Sequence, residues 1–385
     1  MPSASSDWIA FAGARGVGDE ELAAVEGVLR RRTLYRGAGL APPVEVDALE
    51  RELGEALGRR YALTLNSGTS ALVAGLKAMG VGRGDEVVLP SYGWLTEVSA
   101  VLELGAIPVL APIGWDLNLD PSRLGEAVTP RTKAVMCIGA CGLACDVARL
   151  RDVTRATHVP LLEDACQALG ARRPGERSDV EVHSFQAFKI VTGGEGGALV
   201  TDDEAVYRAA LCYHDAGLSR FAQAGERSLK PVGVGLNLRM SEIVAALVRV
   251  QLRRLPSTLE RLAAARDQMV RVLTESHLGL RVRTAPPAED NGTYVVVTCP
   301  SPEIATQVRA ALHASGCPIE LAAKDDLHCA TGWLEYLTRE RFEHRAVGLE
   351  ASLAVLERTL TLPINWAQDE VQLDTVRVGL GRVSA

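Results

Sequence analysis

The sequence predicts an α/β fold: a large domain with a mostly parallel sheet between helices, followed by a smaller C-terminal α+β domain. Three observations carry this. From about residue 61, short apolar, β-branched runs alternate with amphipathic stretches, the pattern of βαβ units. Glycines and prolines punctuate the runs where turns are needed, as in Gly80-Val-Gly-Arg-Gly-Asp85, Pro90-Ser91, Gly105 and Pro130. After residue 256 the composition resets into a shorter mixture of helix and strand patterns.

Taken in order, residues 1–40 read as an irregular N-terminal arm. Its run Arg30-Arg-Arg-Thr-Leu-Tyr-Arg-Gly-Ala-Gly39 would pack on another surface, and Arg30–Arg32 reads as a solvated helix end. Residues 41–256 form the expected large domain. Its strands are Tyr61–Leu65, Glu86–Leu89, Pro108–Ala111, Ala134–Ile138, Pro160–Glu163, Glu181–Phe185 and Ala198–Thr201, where β-branched and apolar residues cluster. Helices are expected near Ser70–Met79, Leu95–Leu104, Ser122–Val128 and Ala148–Ala156. A long helical pattern runs from Arg239 to about Glu275, with a kink or break expected at Pro256. Residues 257–385 form the expected small domain, with a turn at Glu289–Gly292, a strand at Thr293–Thr298 and a helix at Glu303–Ala314.

Composition narrows the function. A net charge of −7 and few aromatics (4%) argue against nucleic acid and anionic membranes as partners. No apolar run reaches the length of a membrane span, and the start Met-Pro-Ser-Ala-Ser-Ser-Asp lacks a signal peptide's basic and apolar regions. Eight cysteines in 385 residues without such a signal read as reduced thiols, so a cytoplasmic enzyme is expected.

Candidate chemistry centres on Lys189, in Ser184-Phe-Gln-Ala-Phe-Lys-Ile-Val-Thr-Gly-Gly-Glu-Gly-Gly197. A lysine between an apolar stretch and a glycine turn favours the nucleophilic amine, which can form a Schiff base with a carbonyl, most commonly that of pyridoxal phosphate. The same lysine also fits a strand end whose stem lies along apolar surface. Asn66-Ser-Gly-Thr-Ser-Ala-Leu72 follows a strand and opens a helix; Gly68 allows close approach, and the free amides attract an anion. An ordinary helix cap is the other reading, and the one the motif by itself favours. Asp164 ends a buried strand in Leu161-Leu-Glu-Asp-Ala-Cys-Gln167, where an acid needs a positive partner. A protonated pyridine nitrogen would serve, with Gln167 reaching the ring's phenolic oxygen; capping of the next helix and metal ligation are the alternatives. Trp94 starts a helix after another strand end and could stack on a ring or simply fill the core. These positions lie at or just beyond the carboxyl ends of strands, where open α/β sheets bind ligands.

Further motifs complete the pattern: Gly84-Asp-Glu-Val-Val-Leu-Pro-Ser91, Pro130-Arg-Thr-Lys-Ala134, Glu163-Asp-Ala-Cys-Gln-Ala168, Gly194-Glu-Gly-Gly197 and Asn237-Leu-Arg-Met-Ser-Glu242. Together with Ser67–Leu72 and Ser184–Lys189, over roughly residues 30 to 385, the chain resembles the DegT/StrS-type sugar aminotransferases, fold type I enzymes dependent on pyridoxal phosphate. The resemblance implies that Lys189 carries the cofactor and Asp164 pairs with its pyridine nitrogen. Gln167 would contact the ring oxygen, Trp94 would stack on the ring, and Gly68, Thr69 and Ser184 would bind the phosphate. Asn237 would reach the cofactor phosphate of a neighbouring subunit, implying a homodimer with shared sites. The implied reaction moves an amino group from glutamate or glutamine to a keto-sugar, nucleotide-keto-sugar or keto-cyclitol, with no metal. A lysine at 189 sets the chain apart from related dehydratases that carry histidine there.

One stretch departs from the pattern. Where the family commonly reads Val-His-Leu-Tyr-Gly, this chain has Ile138-Gly-Ala-Cys-Gly142. That change keeps two alternatives in play: a pyridoxal-phosphate enzyme of another reaction type, or a non-catalytic cofactor-binding regulator. Cys137, Cys141 and Cys145 match no zinc spacing and read as buried thiols. His183 reads as structural, and His214 as a helix-end cation within reach of a substrate. Gly193–Gly197 is not a dinucleotide loop, because a strand follows it.

Overall fold

The structure, a computed structural model, describes residue 13 and residues 16–36, 44–219, 230–324, 327–367 and 370–383. Residues 1–12, 14–15 and 37–40 of the expected arm lie outside the described residues.

The described strands are β1 (Tyr61–Leu65), β2 (Glu86–Pro90), β3 (Ile107–Ala111), β4 (Thr132–Ile138), β5 (Leu161–Asp164), β6 (Val180–Ser184), β7 (Gly197–Thr201), β8 (Leu218–Ser219), β9 (Lys230–Pro231), β10 (Arg281–Val282), β11 (Tyr294–Thr298), β12 (Glu320–Leu321), β13 (Arg345–Ala346) and β14 (Thr359–Pro363). Eight of them form one sheet in the order β1-β7-β6-β5-β4-β2-β3-β13. Only β7 runs against its neighbours. Such a sheet is covered on both faces, and its strands are accordingly apolar on both: β2, β3 and β7 are buried throughout. All eight expected strands form, seven in the large sheet and one as β11, each within two residues of the expected bounds at either end. A second, antiparallel sheet, β10-β11-β14-β12, lies in the C-terminal part, beside the helices Pro302–Ala314 and Glu370–Leu380.

Four elements differ from expectation. Asp19–Arg31, inside the supposedly irregular arm, is a helix. Its first turn holds Asp19, Glu20 and Glu21 and its last Arg30 and Arg31, charges that complement the helix dipole. The expected helix at 122–128 contracts to a single turn of 3-10 helix at Leu124–Glu126, too short a run between Pro121 and Pro130 to propagate. Pro256 does not break the long helix, which runs from Glu242 to Thr274 over 33 residues. Apolar residues before and after the proline, Leu252, Leu255 and Leu262 among them, pack into one core, and that packing outweighs one lost hydrogen bond. Finally, β13, contributed by the C-terminal part, joins the edge of the large sheet beside β3; two residues are too few to show a period in sequence.

The long helix also organises the N-terminal half. Ser241 caps it, and Glu242, wholly buried, accepts hydrogen bonds from the amides of Val44, Glu45 and Val46 at 2.9, 2.8 and 3.1 Å. Those amides open the helix Glu45–Leu57, so one carboxylate satisfies three donors that would otherwise lack acceptors.

Candidate active site

The expected site residues converge beyond the ends of β1, β5 and β6. After β1, Ser67 caps the helix Gly68–Ala78, its Oγ accepting from the Ser70 amide at 3.0 Å. The amides of Gly68 and Thr69, first in the helix, have no acceptor within it. Gly68 is buried where a Cβ would stand 2.9 Å from Ser184 Cβ and 3.1 Å from Cys166 Sγ, so only glycine lets the three segments meet. Ser184, the last residue of β6, thereby sets its hydroxyl beside the helix start. Amide donors, a hydroxyl and a helix N-terminus together form a cradle for an anion.

Asp164 ends β5 and is 2% exposed. Its Oδ1 accepts from the Cys166 amide at 2.8 Å. Burial first, and then the Asp164 charge, pushes the Cys166 thiol well above its usual range, while the Lys189 charge opposes them. Lys189 is half-buried rather than fully enclosed, in the turn linking β6 to β7, with Phe188 beside it exposed. Gln167 accepts from the Cys141 amide through Oε1 at 2.9 Å, which turns its NH2 group toward whatever else the site holds. Trp94 is the N-cap of the helix Leu95–Glu103, and its ring lies 4.6 Å from that of His328, tilted by 59°.

Asn237 is exposed on a segment that runs alongside the cradle: the Asn66 amide donates to Leu238 O at 2.8 Å, and Leu65 bridges Arg239. The structure thus brings Asp164, Gly68 and Ser184 together around Cys166, sets Gln167 one residue beyond it, places Lys189 in the turn after β6, and leaves Asn237 exposed.

Sequence reasoning passed over two residues here. Glu97, 3% exposed, lies against the Asp164 carboxyl and accepts from the Trp94 amide at 2.7 Å. Burial first, and the adjacent Asp164 carboxyl second, push it well above the usual carboxylate range. A third-position acid opening a helix reads as a cap, so its second contact gave no signal. Arg283, 1% exposed, donates to Asp116 O, Ala140 O and Cys141 O at 3.0, 3.0 and 2.6 Å. It thereby holds the Gly139–Gly142 stretch, in which Cys141 and Gly142 both have positive φ, 52° and 84°. A fully buried arginine has no periodic signature.

His214 corrects an expectation. It is wholly buried with Nδ1 2.7 Å from Leu211 O, and burial, followed by nearby Arg36, pushes its pKa down to about 4. The ring is neutral and walled off from any substrate. His183 is buried 3.1 Å from Glu181, a structural position. Cys137, Cys141 and Cys145 are buried and in no disulfide, and burial raises the pKa of Cys137 and Cys145. Among the described residues no group of three or more His, Cys, Asp or Glu could hold a metal ion, and no helix is long and apolar enough to cross a membrane.

The donor set fits a phosphorylated, cationic heteroaromatic aldehyde: an anion cradle, a buried acid, a flat ring and an amine, all at the carboxyl edge of a parallel sheet. Fold and site fit the class of group-transfer enzymes that use such a cofactor. The chain belongs to the DegT/DnrJ/EryC1/StrS aminotransferase family, which residues 16–379 match. Over 233 residues it is 38% identical to the 3-amino-5-hydroxybenzoate synthase of Amycolatopsis mediterranei (strain S699), a match spanning 58% of this chain and 58% of that protein. A crystal structure of 3-amino-5-hydroxybenzoic acid synthase superposes with a TM-score of 0.82 at 27% identity, covering 97% of this chain and 98% of that one. An E. coli GDP-4-keto-6-deoxy-D-mannose-3-dehydratase with bound hydrated PLP shares the fold, with a TM-score of 0.83 at 20% identity over 97% and 99% of the two chains.

Proposed function

We propose that this chain is a pyridoxal-phosphate-dependent aminotransferase that moves an amino group from an amino acid, glutamate or glutamine, to a cyclic ketone. The acceptor is a keto-sugar, nucleotide-keto-sugar or keto-cyclitol, and the likeness to a 3-amino-5-hydroxybenzoate synthase favours the carbocyclic end of that range. One observation carries the reading: in a chain of this family, the buried Asp164 accepts from the Cys166 amide while Cys166 and Ser184 close on Gly68 at the start of a helix.

When bound, the cofactor supplies an electron sink for the carbon that bears the transferred amine. The protein's own groups do the rest. The amides of Gly68 and Thr69 and the hydroxyl of Ser184 bind the phosphate. Asp164 would pair with the pyridine nitrogen, the Gln167 NH2 group would donate to the phenolic oxygen, and Trp94 would cover the ring face. Lys189 Nζ would hold the cofactor covalently and, once released, would serve as the base and acid for the proton moved during the transfer. Asn237, facing outward, serves the phosphate of a second copy, so the working unit is a cytoplasmic homodimer with shared sites.

The test separates the two half-reactions. Protein loaded with cofactor is mixed with glutamate or glutamine and no acceptor, then analysed by mass. Stoichiometric pyridoxamine phosphate and the corresponding keto acid are expected, followed by ping-pong kinetics with a panel of keto-sugars and keto-cyclitols. Lack of amine-form cofactor with every donor would overturn transamination in favour of another reaction type or a regulator.

A further inference from the structure

The turn that carries Lys189 is touched by a residue from near the start of the chain. Gly13, buried, donates its amide to the Lys189 carbonyl at 3.1 Å. A Cβ on Gly13 would stand 2.6 Å from that carbonyl oxygen and 3.1 Å from both Ile190 O and Gln251 Oε1, so only glycine lets backbone meet backbone here. On its other side, the Lys189 amide donates to Gln186 O at 2.9 Å, so the peptide groups flanking the lysine are both held. The long helix fixes the rest of the turn. Gln251, also buried, accepts from the Thr192 amide at 2.9 Å and donates to the Thr192 carbonyl at 3.0 Å. Three residues on, on the same face of that helix, Arg254 donates to Gly16 O at 3.0 Å and pairs with the buried Glu21. The Gly16 amide donates in turn to Gly13 O at 3.0 Å. Contacts therefore run from the long helix through Gly16 and Gly13 to the backbone of Lys189.

We propose that Gly13 is a positioning residue that braces the Lys189 turn, which makes Gly13 and Gly16 part of the active-site scaffold. The proposal rests on the role of Lys189 given above. A lysine amine rides on a flexible four-carbon stem, so the place it can reach is set by where its backbone is held. A site whose supporting contacts are about 1 Å too loose loses its working geometry. Gln251 holds the turn from the side of Thr192 and Gly13 from the side of Lys189 itself. The arrangement also joins the lysine to the first helix, Asp19–Arg31, because Arg254 pairs with Glu21 in that helix and grips Gly16 just before it.

The test compares wild type with Gly13→Ala and Arg254→Met, each as the full-length protein freed of cofactor. Amide hydrogen exchange, read by mass on peptides covering residues 186–192, should speed up roughly two- to tenfold in both variants, the worth of one hydrogen bond. Acetylation of Lys189, measured against the exposed Lys133 in the same sample, should rise with it. A contact of structural worth alone would move the exchange and leave that ratio unchanged. After reloading, cofactor should leave both variants faster than wild type on dialysis. Arg254→Met releases Gly16 without adding bulk at the turn, so loosening by Gly13→Ala alone would show a local clash and overturn the proposal. Unchanged exchange at the turn in Gly13→Ala, or a Lys189 ratio and cofactor loss equal to wild type, would overturn it as well. Should one variant fail to fold, the other decides on the same readouts. Borohydride labelling separates the two layers. Wild-type label on a lysine other than Lys189 would remove the reading on which the proposal stands, whereas failure of the Gly13 brace alone leaves Lys189 as the labelled residue in every variant.

Discussion

Replacing Arg283 by methionine should remove a large part of the stability of this fold, and the structure sets the size. Methionine follows the apolar stem closely in volume, so the cavity contribution is small and the loss is mainly polar. Asp116 O and Cys141 O each lose the guanidinium donor, while Ala140 O keeps a second donor in the Leu143 amide. Asp290, 3.5 Å from Arg283, keeps Arg266 at 3.4 Å, so no buried charge is stranded. Two buried carbonyls left without that donor cost about 1–3 kcal/mol each, or roughly 2–6 kcal/mol together. Typical domains hold about 5–15 kcal/mol in all. Urea unfolding at neutral pH, followed by circular dichroism, reads the change through its midpoint. The perturbation also reaches the site, because the Cys141 amide positions Gln167 at 2.9 Å; cofactor retention on dialysis should fall in parallel. A loss below about 1 kcal/mol would show that water or loop rearrangement replaces the guanidinium, and would refute the reasoning.

Borohydride reduction of the cofactor-loaded protein should fix the label to Lys189, read by peptide mass mapping; a label on another lysine would sink that assignment. Mixing inactive Lys189→Ala and Asn237→Ala chains, with subunit exchange verified, should regenerate activity in heterodimers, because one of the two shared sites is then complete. Failure to complement would point to sites built within single chains. Burial and the neighbouring Glu181 carboxyl push Glu163 up to about 8, above its value in an unfolded chain. The folded state therefore binds the extra proton, and stability falls as pH rises from about 5 toward 8. Glu163→Gln should flatten that slope in thermal unfolding; an unchanged slope would assign the pH dependence to other groups.

The parts of this molecule legible in sequence were those with local signatures. β1 was located residue for residue because β-branched and apolar residues cluster between turn formers, and Gly68, Asp164, Ser184 and Lys189 stood out because each sits where a strand gives way to a turn. What stayed hidden depends on contacts between distant segments. Glu97 looks like a helix cap because the Trp94 amide is its sequence neighbour, whereas Asp164 is brought to it only by the pairing of β2, β4 and β5. Arg283 reads as one surface arginine among many until β10 is placed beside β11 and the Gly139–Gly142 loop closes over it. Pro256 misled in the other direction: its local rule is sound, but packing on both sides of it prevailed. His214 looked like a helix-end cation, and only the fold shows Arg36 nearby and the ring buried.

The helix Glu242–Thr274 is a rod about 50 Å long at 1.5 Å per residue. One end is anchored under the first helix of the large sheet by Glu242; the other is packed against the antiparallel sheet. The two sheets are thus mounted on a shared axle rather than joined by a strap. Moving one sheet relative to the other means tilting that axle whole or flexing it. Flexing costs least at Pro256, the rung missing from its ladder, near the midpoint of the rod and between Gln251, which bonds Thr192, and Leu259, which meets Gly170.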